Sequence, residues 1–148
     1  RERIRSGLDE MLKQSQVEPS KTAAIGYCFG GSGVFELARS GAEVDGVVSF
    51  HGGLRPAGAE DASNIKTSVM VLHGADDPFI SAEDKAAFLK EMTEAKVDMV
   101  FTEYSGAVHS FTDKNAGNDN SKGAAYNENA DRRSWSAMKQ FFEEIFSK

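Results

Sequence analysis

A single cysteine, Cys28, stands among 148 residues, so no disulfide can form within the chain and an oxidising compartment gains no support. One thiol also falls short of the donor set that a structural zinc site requires. No apolar run approaches the roughly 20 residues of a membrane-spanning helix, and no signal peptide opens the sequence. Excess positive charge is missing too. The net charge of −6 argues against a nucleic-acid partner, because binders of the phosphate backbone present a basic face. There is no internal repeat and no obvious linker. What remains is a chain of 40% hydrophobic and 27% charged residues, long enough to bury a core and unlike a disordered segment. We expect one domain over 1–148, soluble and cytoplasmic, without nucleic-acid or membrane partners. The first residue is Arg1 and the opening segment already reads as helix. Either an initiator or tag has been removed, or the chain begins partway through a larger fold.

The apolar period alternates between helix-like and strand-like, the pattern of an α/β fold. Ile4, Leu8, Met11 and Leu12 share one helical face in residues 1–15, and Pro19-Ser20 ends that helix. Residues 22–27 are short and nearly uncharged, which suits a strand buried on both faces. A second helix follows Gly30-Gly31 and carries Val34, Phe35, Leu37 and Ala38. Residues 44–50 read as a second strand, 54–66 as loop, 68–72 as a third strand and 97–104 as a fourth. Ser81, with Asp84 three residues on, caps a helix bearing Ala86, Phe88, Leu89 and Met92. Residues 113–123 are polar and rich in Gly and Asn, the composition of a mobile loop. A last helix over about 130–146 should turn Trp135, Met138, Phe142 and Ile145 to the core. Helical connections between successive strands imply a parallel sheet of about four strands with flanking helices. Sites in such sheets gather at the carboxyl ends of the strands. Cys28, His51, Asp77 and His109 all fall at or just after a predicted strand end.

Cys28 lies in Gly26-Tyr27-Cys28-Phe29-Gly30, between a predicted strand and a predicted helix. A nucleophile at such a junction needs a tight turn, and glycines two residues away on either side leave room for it. The helix N-terminus behind Cys28 favours thiolate over thiol. The backbone N–H of Phe29 is placed to form half of an oxyanion hole. The remaining partners of a Cys-His-Asp unit follow in the order acid, then histidine. Asp76 and Asp77 compete for the carboxylate position after the third strand, and His109 follows the fourth. His51 and His73 are expected to satisfy local hydrogen bonds rather than to take protons. No histidine pair has the helical i, i+4 spacing, so no metal is expected.

At these residues the sequence resembles the dienelactone hydrolase family of α/β hydrolases. The resemblance rests on residues 25–31 (IGYCFGG), 71–78 (VLHGADDP) and 104–111 (YSGAVHSF), and on the closing segment from Ala125 to Phe142. It covers the chain from about residue 20 to the end. It implies the triad Cys28, Asp77 and His109, with the family's Gly-x-x-Asp pattern selecting Asp77 over Asp76. It further implies hydrolysis of a small-molecule ester or lactone without a cofactor. Family members are longer, and no residue here matches their upstream strands, the loop giving a second oxyanion donor, or an upstream glutamate and arginine. The alternative expectation is therefore a catalytically silent α/β module acting in assembly. The strand over 22–28 should in either case present a free edge, open to a homodimer or to a completing polypeptide.

Overall fold

A computed structural model describes residues 1–147. Its centre is a four-stranded, all-parallel sheet of β1 (Ala23–Tyr27), β2 (Gly46–Phe50), β3 (Ser68–Gly74) and β4 (Met99–Tyr104). The strands lie in the order of the sequence, so β1 and β4 are its edges. Five helices accompany them: α1 (Glu2–Leu12), α2 (Phe29–Arg39), α3 (Ala59–Ser63), α4 (Ala82–Glu94) and α5 (Glu128–Ile145). No helix among the described residues is long and apolar enough to cross a membrane.

The two inner strands are predominantly apolar because both of their faces are covered, with Ser49 and His73 as buried polar exceptions. Val47, Val69 and Val71 point to one side, where they meet Val34 and Phe35 of α2 and Phe88 and Met92 of α4. Val48, Phe50, Met70 and Leu72 alternate to the other side and meet Met138, Phe141 and Ile145 of α5. Ser81 caps α4 by accepting the Asp84 N–H at 3.0 Å, as its spacing to Asp84 foretold.

Several expectations are corrected. β1 is not buried on both faces: Ile25 and Tyr27 are 43% and 42% exposed, because an edge strand has a neighbour on one side only. Residues 54–66 contain a helix, α3, whose single short turn is too brief to show a period. Trp135 faces solvent rather than the core. The buried stripe of α5 runs through Ala130, Ser134, Met138, Phe141 and Ile145, with Phe142 half-buried against the same cluster and Trp135 one position out of phase. The 113–123 segment holds two 3₁₀ turns, each capped by an aspartate, Asp113 and Asp119, that accepts the N–H two residues ahead.

Candidate active site

Cys28 occupies the one-residue junction between β1 and α2, with φ 51° and ψ −117°. A side chain seldom adopts this conformation without being held there. The turn is tight enough that a Cβ on Gly26 would lie 2.0 Å from the carbonyl oxygen of Gly30. The second glycine of the motif is different. A Cβ on Gly30 would meet nothing within 4 Å, whereas one on Gly31 would lie 2.7 Å from Ser49 Oγ and 2.8 Å from Gly52 Cα. The crowding expected at Gly30 is therefore at Gly31, where α2 approaches the end of β2. Phe29 opens α2, so its N–H has no intrahelical acceptor, and its ring is 91% exposed.

Asp77 and His109 are brought together. His109 Nδ1 and Asp77 Oδ2 are 2.9 Å apart, and Asp77 Oδ1 accepts the Phe79 N–H at 2.9 Å. Asp76 points elsewhere, its Oδ2 accepting the Gly106 N–H at 3.1 Å. Burial favours the neutral Asp77 carboxyl, but the hydrogen bonds from His109 and from Phe79 outweigh it and hold its pKa below the ordinary carboxylate value. A glycine is again required here: a Cβ on Gly74 would press within 2.6 Å of the Ala107 carbonyl oxygen, on the chain leading to His109.

The thiol is not hydrogen-bonded to His109. Cys28 Sγ lies 3.4 Å from His51 Nδ1 and 3.4 Å from Ser110 Oγ. The sulfur and one nitrogen each of His51 and His109 fall within 4.8 Å of one another. One thiol and two imidazoles are the donors that zinc accepts, and this is the only such group of three among the described residues. His51 is fully buried, and burial together with nearby His109 lowers its pKa to about 4. The expected local bond of His51 exists, but its partner is the Cys28 N–H, at 3.2 Å. His73 departs from expectation, because its buried Nδ1 has no hydrogen-bond partner.

Ser110 and Thr112 were not legible as site residues. A hydroxyl next to a histidine has no distinctive spacing, although Ser110 follows His109 directly and takes a positive φ of 56°. A cavity of about 280 Å³ opens over the thiol, lined by Cys28, Phe29, Leu54, Arg55, Phe79 and His109. The loop supplying Leu54 and Arg55 is anchored by a buried ion pair. Arg39 donates to Glu91 and to the Arg55 carbonyl, each at 2.9 Å, and Glu91 accepts the N–H groups of Ala57 and Gly58.

A parallel sheet with a thiol on the first strand–helix turn, and an acid–imidazole pair beyond the third and fourth strands, defines an α/β hydrolase fold. The sequence matches the dienelactone hydrolase family over residues 1–146, and the chain belongs to that family. The match begins at α1, upstream of the segment whose motifs carried the resemblance. A crystal structure of a dienelactone hydrolase-like promiscuous phosphotriesterase from metagenomic libraries superposes with a TM-score of 0.91 at 47% identity, over 97% of this chain and 60% of that one. An uncharacterized protein of Caenorhabditis elegans is 33% identical over 98% of this chain and 93% of its own length. The carboxymethylenebutenolidase homolog of Homo sapiens is 28% identical over 72% of this chain, and the match spans 42% of the human protein.

Proposed function

We propose that the chain hydrolyses small-molecule esters or lactones through Cys28, His109 and Asp77. The observation that carries this reading is the 2.9 Å pairing of His109 Nδ1 with a buried Asp77, which leaves Nε2 as the nitrogen free to work on the neighbouring thiol. His109 Nε2 takes the proton of Cys28, and the thiolate attacks the ester carbonyl. The oxyanion that forms draws on the N–H of Phe29. The C–O bond breaks, His109 returns the proton to the departing alcohol, and a thioester remains on Cys28. Water, deprotonated by His109, attacks the thioester. The carboxylic acid departs and the thiol is restored. Asp77 keeps Nδ1 protonated throughout and stabilises the imidazolium. No cofactor enters these steps, and a cytoplasmic setting suits a free thiol.

Turnover of p-nitrophenyl acetate or a simple enol lactone by the purified chain, set against Cys28→Ala, is the direct test. Loss of activity in the variant is expected, and equal activity would remove the thiol from the mechanism.

A second reading has its own support. β1 is an edge strand with Ile25 and Tyr27 exposed, so it offers unpaired backbone groups and apolar side chains to another strand. An assembly at this edge, with a second copy or a completing polypeptide, would make the chain a module whose activity depends on its partner. Light scattering at micromolar concentration separates the two. A monomer that turns over ester supports the first reading alone.

A further inference from the structure

His51 is the least expected occupant of the site. It sits immediately after β2, is 1% exposed and holds a φ of 41°. Its N–H continues the sheet by donating to the Leu72 carbonyl at 2.9 Å. The ring is packed edge-on against Phe111, with centroids 5.1 Å apart and planes at 84°.

Its hydrogen bonds fix its tautomer. A backbone N–H only donates, so the Cys28 N–H, 3.2 Å from Nδ1, requires a lone pair on that nitrogen. The same N–H is shared with the Phe50 carbonyl at 3.1 Å. In a neutral ring the proton then sits on Nε2, which donates to Thr112 Oγ1 at 2.8 Å. The low pKa of His51, set first by burial, agrees with a neutral ring. With Nδ1 unprotonated, the only hydrogen able to bridge the 3.4 Å to Cys28 Sγ is that of the thiol itself.

We infer that His51 is a positioning residue that seats both the backbone and the sulfur of Cys28 on Nδ1 and, through Nε2, ties them to the loop carrying His109. It rests on the reading of Cys28 as nucleophile. Three non-glycine residues with positive φ, Cys28, His51 and Ser110, converge on the sulfur. Each is the kind of conformation that persists only where its surroundings hold it. The imidazole spans the gap between two of these turns, so the distance from thiol to base depends on it.

Asparagine and glutamine separate the two ends of the ring. Asn places an acceptor near the Nδ1 position and nothing at Nε2, while Gln reaches the Nε2 position and has no acceptor at Nδ1. His51→Gln should lower kcat at least about tenfold with KM within about twofold, the signature of an interaction that acts after substrate is bound. His51→Asn keeps the acceptor and loses the tie to Thr112, as Thr112→Val does, so both should fall in kcat by about twofold to fivefold. Alkylation of Cys28 by iodoacetamide, read by mass, gives a second readout that needs no ester turnover. A thiol released from Nδ1 should react faster in His51→Gln than in His51→Asn at equal melting temperature.

Equal effects of Asn and Gln on both readouts would reduce His51 to core packing and overturn the inference. Should the histidine variants fail to fold, a Thr112→Val protein with wild-type kcat and alkylation rate would overturn it equally. Full ester turnover by Cys28→Ala would instead sink the nucleophile reading, and the alkylation comparison would still decide whether His51 holds the thiol.

Discussion

Asp77 grips His109 with one carboxylate oxygen and the Phe79 N–H with the other, each at 2.9 Å, so the acid is fixed in rotation before it orients the imidazole. Asp77→Asn keeps the shape of this contact but can present an amide N–H to Nδ1, which favours the wrong tautomer. Ester turnover is expected to fall on the order of 10²- to 10⁴-fold with little change in melting temperature. Asp76→Asn, whose carboxylate meets only the Gly106 N–H, should leave turnover near wild type. The reverse ranking would move the acid to Asp76.

Acid should weaken the fold in two windows. His51 titrates near 6.5 when unfolded and at about 4 when folded, since burial and nearby His109 disfavour its charged form while Asp77 favours it. The unfolded chain therefore binds the extra proton between these values, and stability is lost as pH falls from about 6.5 to about 4, by up to about 3 kcal/mol. His73, also lowered by burial, acts in the same direction. Asp77 has a folded pKa below its unfolded value, so its contribution is present above about pH 4 and is lost only as pH falls further. Urea midpoints at pH 7.5 and 5 test the first window. His51→Asn should show a clearly smaller drop than wild type, and an equal drop would remove His51 as its source.

Gly26 and Gly30 should behave oppositely despite their symmetry in the motif. Gly26→Ala drives a methyl into the Gly30 carbonyl and should cost more than about 3 kcal/mol or prevent folding. Gly30→Ala places its methyl in open space on a helix and should stabilise by up to about 1 kcal/mol. Thermal melts of the two variants decide this directly.

The Arg39–Glu91 pair is buried on both sides, and it also reaches the loop at the cavity wall and, through Arg39, Glu36 of α2 at 3.1 Å. Glu91→Leu leaves the buried guanidinium only the half-exposed Glu36 and the Arg55 carbonyl and should cost about 3 kcal/mol, while the double change Arg39→Met with Glu91→Leu should recover part of that loss. A double variant no better than the single would show that the ion pair is not what the loss reflects.

How much of this was legible beforehand follows from where the information sits. Strands such as 46–50 and 68–74 are uncharged because both faces are covered, and that shows in the sequence. The order of thiol, acid and histidine at strand ends is likewise readable from topology, although only the family resemblance separates Asp77 from Asp76. The place of Trp135 on α5 was not legible, since it fits a helical stripe as well as Ser134 does, and only packing of the helix on the sheet selects between them. The role of His51 was hidden for a related reason. Its neighbours Cys28 and Thr112 are 23 and 61 residues away, and the left-handed turns that bring them together leave no periodic trace.

Trp135, the sole indole of the chain, is 48% exposed on α5. The protein therefore carries an intrinsic fluorophore whose emission reports the wetness of one surface. Coverage of that side of α5 by another chain would shift the emission to shorter wavelength and shield it from iodide quenching. Exchange within the buried core would leave it unchanged. Association at this surface can thus be followed by light alone, on unlabelled protein and at concentrations too low for scattering.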